Sequence, residues 1–136
     1  MSKIFIFAHP NALMMPKTIL VIENDPDVRY IISYVLQAEG YKVTTTAIYA
    51  DLDEIAAHRP DLVLIDEWVS DEPGHRLCLK IKTLERMMHI PVIILSTANG
   101  IEQIMTECKA NAFVRKPFDL EDLTGKVREL LSEVSV

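Results

Sequence analysis

The chain has 136 residues, 49% of them apolar and 25% charged, with a formal net charge of −6. That length fits one compact domain of about 150 residues, and the composition excludes a disordered tail, a collagen-like repeat and a disulfide-stapled scaffold. An acidic chain without a basic stripe also excludes nucleic acid as a direct partner, because neutralising phosphates takes clustered Lys and Arg.

Cys78 and Cys108 lie far apart and no C-x-x-C occurs, so both read as small buried hydrophobes in a reducing cytosol. No apolar run approaches the roughly 20 residues of a membrane span. The run Ile4-Phe5-Ile6-Phe7-Ala8 is interrupted by His9, Pro10 and Asn11, which makes it too short for a signal-peptide core. The expectation is a cytoplasmic protein that makes no membrane contact.

In chain order, residues 1–16 form an extension of unknown role, and residues 17–136 form the domain. Ile4 to Phe7 is apolar enough to add an edge strand or to pack on a second copy as a homodimer. Thr18-Ile19-Leu20-Val21-Ile22 then opens a series of short apolar runs, followed by Asp25-Pro26, an acidic cap with proline at the first helical position. Val28, Ile31, Ile32, Val35 and Leu36 mark the apolar stripe of that helix, and Gly40 closes it. Tyr41 to Thr46 alternates and is rich in β-branched residues, which predicts an outer strand with one wet face.

Leu52, Ile55 and Ala56 mark a short helix that stops before Pro60. Asp61-Leu62-Val63-Leu64-Ile65 and Pro91-Val92-Ile93-Ile94-Leu95 are continuously apolar, the habit of strands buried on both faces of a parallel sheet. Leu77, Cys78 and Ile81 mark a helix from near Gly74, and Ile101, Ile104, Met105 and Cys108 mark another. Ala112-Phe113-Val114-Arg115 is the last strand, and Asp119 caps a final helix carrying Leu120, Leu123, Val127, Leu130, Leu131 and Val134. Strand and helix alternate throughout, which predicts an α/β domain with a doubly wound parallel sheet and right-handed crossovers.

Ligands of such sheets bind beyond the carboxyl ends of the strands. Glu23-Asn24-Asp25 follows the first strand, Asp66 the third, Ser96-Thr97 the fourth and Lys116-Pro117 the fifth. Carboxylates converging without His or Cys make a hard, oxygen-rich site suited to Mg²⁺. A lysine and a hydroxyl nearby suit phosphoryl oxygens, and a central carboxylate is a candidate nucleophile toward phosphorus. His75 and Cys78 form at most half a zinc site, with no second pair to complete it.

Four segments, Ile19 to Asp27, Pro60 to Asp66, Pro91 to Ser96 and Lys116 to Asp119, stand in the order and at the spacing of one family. The chain resembles the receiver domain of two-component response regulators, of the chemotaxis-receiver type. The resemblance implies a (βα)5 flavodoxin-like sheet of strand order 2-1-3-4-5. It places Asp66 on the phosphoacceptor, loaded by a sensor histidine kinase or a His-phosphotransfer protein. It places Glu23, Asn24, Asp66 and the Trp68 backbone carbonyl around Mg²⁺ (or Mn²⁺), Ser96 on the switch hydroxyl, Phe113 on the switch aromatic and Lys116 on the conserved-type lysine, with a cis bond expected before Pro117.

Several positions depart from the family pattern. Asn24 removes a carboxylate from the metal pair, so Mg²⁺ binding is expected to be weaker. Asp25 compensates only if the loop turns it inward, and as a helix cap it faces the backbone. Glu67 supplies the missing charge if it points into the pocket. Trp68 and Thr97 are bulky enough to cover a phosphoryl group, and Ser70 to Gly74 is expected to form a turn of altered shape. The implied function is a stand-alone switch, not an enzyme beyond its own phosphorylation and dephosphorylation, that signals to a downstream protein through the face around Ser96, residues 101–109 and Phe113. The alternative is a protein-interaction module of the same fold that does not use phosphate. A haloacid-dehalogenase-type phosphatase would need an acid where Trp68 stands, and a flavodoxin a phosphate loop where Glu23-Asn24-Asp25-Pro26 stands.

Overall fold

The computed structural model describes residues 15–47, 51–69, 72–97 and 106–134. Strand β1 (Thr18–Ile22) leads into α1 (Pro26–Ala38), β2 (Lys42–Thr46), α2 (Leu52–Ala57) and β3 (Leu62–Asp66). Two short strands follow, β4 (Trp68–Val69) and β5 (Glu72–Pro73), then α3 (Gly74–Thr83), β6 (Val92–Ser96), β7 (Ala112–Arg115) and α4 (Leu120–Val134). Residues 106–108 are helical as well. The rest of the helix predicted from Ile101, and the apolar run at Ile4 to Phe7, lie outside the described residues.

The main sheet has the order β2-β1-β3-β6-β7 and is parallel throughout. With the β4–β5 hairpin set aside, this is the 2-1-3-4-5 order of the resemblance. Every residue of β1 after Thr18, and every residue of β3 and β6, is buried. The reason is visible in the two cores. Leu20, Ile22, Val63, Ile65 and Ile94 pack on one face with Leu77, Cys78 and Ile81 of α3. Ile19, Val21, Leu64, Ile93 and Leu95 pack on the other with Ile32 and Leu36 of α1 and Leu123 and Val127 of α4. Alternate residues of one strand serve opposite cores, so the strands read as continuous apolar runs, and each fully buried Leu or Ile contributes about 1.5–3 kcal/mol. Strand β2 has no fully buried residue, as expected of an outer strand.

The helix signals act locally as predicted. Asp25 Oδ1 accepts from the Asp27 amide at 2.8 Å, and Gly40 takes φ +98 just past the end of α1. The apolar stripe of α1 is narrower than predicted. Ile31 is 46% exposed, because a helix lying on a flat sheet buries the row through Val28, Ile32 and Leu36 and leaves its flank in water. Leu120 is also exposed, although it shares the face of Leu123 and Val127, because it is the first residue of α4.

The segment after β3 is not a plain turn. Trp68 pairs antiparallel with Pro73 and Val69 with Glu72, and α3 starts immediately at Gly74. A Cβ on Gly74 would lie 1.9 Å from the Asp66 carbonyl oxygen, so only glycine lets α3 begin this close to the end of β3.

Candidate functional site

The carboxyl ends of β1, β3, β6 and β7 bring most of the predicted polar residues to one rim. Glu23, directly after β1, and Asp66, the last residue of β3, are 1% and 6% exposed, although both are carboxylates. Lys116, just beyond β7, reaches between them, with Nζ 2.7 Å from Asp66 Oδ1 and 3.2 Å from Glu23 Oε1. Its amide donates to the Ser96 carbonyl, which fixes the start of this loop to the end of β6. The bond from Lys116 to Pro117 is cis.

Burial sets the electrostatics of this trio. Burial raises the Glu23 pKa above the usual carboxylate value, and the nearby Asp66 carboxylate adds to the rise, while the Asp25 amide and Lys116 oppose it. For Lys116 burial works downward, but the bond to Asp66 and the charges of Asp66 and Glu23 prevail and hold it above the usual lysine value. Two negative charges against one positive leave the buried trio short of cation. That is an environment that would welcome a further positive ion.

The loop after β1 is held from below. Arg29, on the first turn of α1, donates from Nη1 to the carbonyls of Glu23 (2.7 Å) and Asn24 (3.1 Å). Arg29 was missed in the sequence reading, although its place four residues past the Asp25 cap was a signal that it could turn back onto the loop. Asp25 faces the backbone of α1, and its amide donates to Glu23 Oε2 at 3.0 Å. As a charge it does not enter the pocket, because its bonds to the Asp27 and Val28 amides turn it toward α1.

Asn24 and Trp68 meet. The Asn24 Nδ2 donates to the Trp68 carbonyl at 2.7 Å, while the Trp68 side chain is 52% exposed. Glu67, which would supply the charge missing at Asn24 only by pointing into the pocket, turns toward the end of β6 instead. Its Oε1 accepts from Ser96 Oγ and from the Thr97 amide, each at 2.8 Å, with Thr97 Oγ1 3.3 Å from both carboxylate oxygens. Burial works to raise the Glu67 pKa, but these donors and the charge of Lys116 prevail and hold it below the usual value. The cause is register: Asp66 pairs with Leu95, so the residue after Asp66 lies across from Ser96.

Phe113 is half-buried against the α3-side core, with Lys126 Nζ 5.6 Å and the Arg115 guanidinium 5.8 Å from its ring centroid. Cys78 and Cys108 are buried free thiols, and Cys78 Sγ donates to the Cys108 carbonyl. Among the described residues no three of His, Cys, Asp and Glu gather closely enough to hold a metal alone. A pair of carboxylates does meet, with the Trp68 carbonyl and the Asn24 amide at the same rim. Hard oxygens of this kind suit Mg²⁺, which is held by one or two carboxylates and completes its shell with water or phosphate.

The sequence profile described as the response regulator receiver domain matches residues 19–128. The chain belongs to the response regulator receiver family. Among curated relatives, the DNA-binding dual master transcriptional regulator RpaA of Synechocystis is 30% identical over 120 residues, covering 86% of this chain and 49% of that protein. The receiver therefore spans about half the length of that relative. Among solved structures, the signal receiver domain of a signal transduction histidine kinase from Syntrophus aciditrophicus is 27% identical with a TM-score of 0.75, covering 87% of this chain and 92% of that one. The receiver domain of the Pseudomonas aeruginosa sensor histidine kinase PA1611, with magnesium coordinated in its active-site cleft, superposes with a TM-score of 0.73 at 22% identity, covering 86% and 98%. The last likeness speaks for the fold, which is flavodoxin-like and doubly wound, as the strand order shows directly. The receiver is thus a signalling domain of two-component systems, and among its described residues no helix is long and apolar enough to cross a membrane.

Proposed function

We propose that the receiver takes a phosphoryl group onto Asp66 from a phosphohistidine of a sensor kinase or His-phosphotransfer protein. The observation that carries this reading is the buried Asp66 carboxylate held at 2.7 Å by Lys116 at the end of the central strand. An Asp66 carboxylate oxygen forms a bond to phosphorus while the P–N bond breaks, and the imidazole leaves with the electron pair and takes up a proton. The rim residues position the acceptor and neutralise charge, as phosphoryl transfer requires. Lys116 orients the nucleophile and counters the incoming negative charge, and the Glu67 amide, 2.8 Å from Asp66 Oδ1, fixes its rotamer. Glu23 and Asp66, with the Trp68 carbonyl and Asn24, would hold Mg²⁺ or Mn²⁺, and bound there the ion supplies the positive charge that the buried trio lacks. The receiver acts on itself alone and passes its state to a downstream protein, a mode of output in keeping with a net charge of −6. The stacked pair Tyr30 and Tyr34, 71% and 66% exposed on α1 below the Glu23 loop, offers an aromatic contact for the phosphodonor protein.

Incubation with acetyl phosphate and Mg²⁺ tests the reading. Intact mass is expected to show one added phosphoryl group in wild type and none in Asp66→Asn, and an unmodified wild type would refute it. One observation favours a second reading, an interaction module that does not use phosphate: the Glu67 carboxylate already bonds Ser96 and Thr97. Binding of a partner that is indifferent to Asp66→Asn would support that module.

A further inference from the structure

We propose that Glu67 is a built-in occupant of an oxyanion pocket made by Ser96 Oγ and the Thr97 amide, so that a phosphoryl group on Asp66 completes the switch only by evicting this carboxylate. The inference rests on the reading of Asp66 as the phosphoacceptor. Two donors from adjacent residues converge on a single oxygen, each at 2.8 Å. One is a hydroxyl 3% exposed and the other a backbone amide at the end of β6. Preorganised donors aimed at one point are what an oxyanion site consists of.

The pocket belongs to Asp66 as much as to Glu67. Asp66 pairs with Leu95 in the parallel register, so a group extending from its carboxylate beyond the rim meets Ser96, the last residue of β6, and Thr97 just after it. Lys116 binds Asp66 directly, and its charge also bears on Glu67. The two anions therefore compete for the same donors and for part of the same cation.

The main chain allows the exchange. The Glu67 amide is tied to Asp66 Oδ1 and its carbonyl accepts from the Gly74 amide at 2.8 Å. The carboxylate can swing out by side-chain rotation while both backbone anchors remain. A phosphoryl group carries about −1.5 to −2 charges and three acceptor oxygens, so it outbids one carboxylate for these donors but has to displace it. In the unmodified chain Ser96 is already drawn toward an anion, and Glu67 sets the threshold for modification.

The test compares wild type, Glu67→Ala and Glu67→Gln, with Mg²⁺ present. It measures the rate of phosphorylation by acetyl phosphate, in which Asp66 oxygen bonds to phosphorus and acetate leaves with the electron pair. It also measures the affinity for beryllium trifluoride as a phosphoryl mimic. Glu67→Ala removes the carboxylate from both donors and is expected to raise rate and affinity on the order of tenfold. Glu67→Gln keeps an acceptor oxygen but loses the charge, and is expected to gain a few-fold. If Glu67→Ala does not fold, Glu67→Gln carries the comparison. The gain is expected to shrink in a Ser96→Ala background, which leaves only the Thr97 amide of the two pocket donors. Values at or below wild type in both variants, or an undiminished gain without Ser96, overturn the Glu67 assignment and leave Asp66 as the acceptor. Absence of modification in all of the chains overturns the Asp66 reading, and this inference with it.

Discussion

At the amino ends of the strands, Asp61 Oδ2 accepts from the Thr18 amide at 2.7 Å and Asn111 Oδ1 from the Val92 amide at 2.9 Å. Lys82, 9% exposed, donates to the Ile90 carbonyl at 2.7 Å just before β6 begins. Each of these side chains closes the backbone of a neighbouring segment. At the carboxyl ends the pattern reverses, and Glu23, Asp66 and Lys116 bond to one another while Glu67 bonds Ser96 and Thr97. The first end is a seam, complete without any visitor. The second holds interacting charges that a ligand can rearrange. Main-chain amides also serve Glu23, Asp66 and Glu67, and it is the side-chain contacts added to them that set the carboxyl ends apart.

This contrast can be broken most severely at Gly74. Gly74→Ala sets a methyl group against the Asp66 carbonyl and is expected to cost about 3 kcal/mol in urea unfolding, since backbone rather than a flexible side chain must yield. Lys116→Met is expected to lower the rate of phosphorylation by acetyl phosphate on the order of 100-fold, with Asp66 and Glu23 left as facing buried anions. Asp61→Ala strikes the seam instead. It orphans the Thr18 amide at an expected cost of about 1.5 kcal/mol, and the phosphorylation rate measured beside it is expected to stay at the wild-type value.

Two finer tests sharpen the comparison. Asn24→Asp places a carboxylate against the Trp68 carbonyl, so metal-free stability is expected to fall while Mg²⁺ affinity rises about tenfold by calorimetric titration. An unchanged affinity would remove Asn24 from the metal site. Burial holds the Lys82 pKa below its usual 10.5. In the window between its folded value and 10.5 the unfolded chain binds the extra proton, so stability contributed by Lys82 rises with pH there. Urea midpoints from neutral pH to about pH 10 are expected to rise less in Lys82→Met than in wild type.

The fold was legible because its physics is local and repeated. Continuous apolar runs announced strands buried on both faces, and Asp25-Pro26 and Gly40 announced where α1 starts and stops. The misreadings have equally local causes. Strand β3 starts at Leu62, one residue after the Asp61 that opens the apolar run, and Asp61 instead accepts from the Thr18 amide through its side chain. The β4–β5 hairpin pairs two residues on each side and contains Pro73, too short for any period to show. At the rim, residue types and order announced which elements would converge. The direction of Glu67 was hidden, since it follows from the pairing of β3 with β6 and not from its own neighbours. Ile31 was assigned to the core because spacing alone does not give the width of the surface that a helix covers.

The hairpin has a practical consequence. Trp68 is the sole tryptophan of the chain, two residues past Asp66, with its indole half in water and its carbonyl bonded to Asn24. Its intrinsic fluorescence is therefore a native optical reporter on the rim: a change in emission on adding a divalent ion or a phosphodonor reads events at Asp66 in real time, with no label attached.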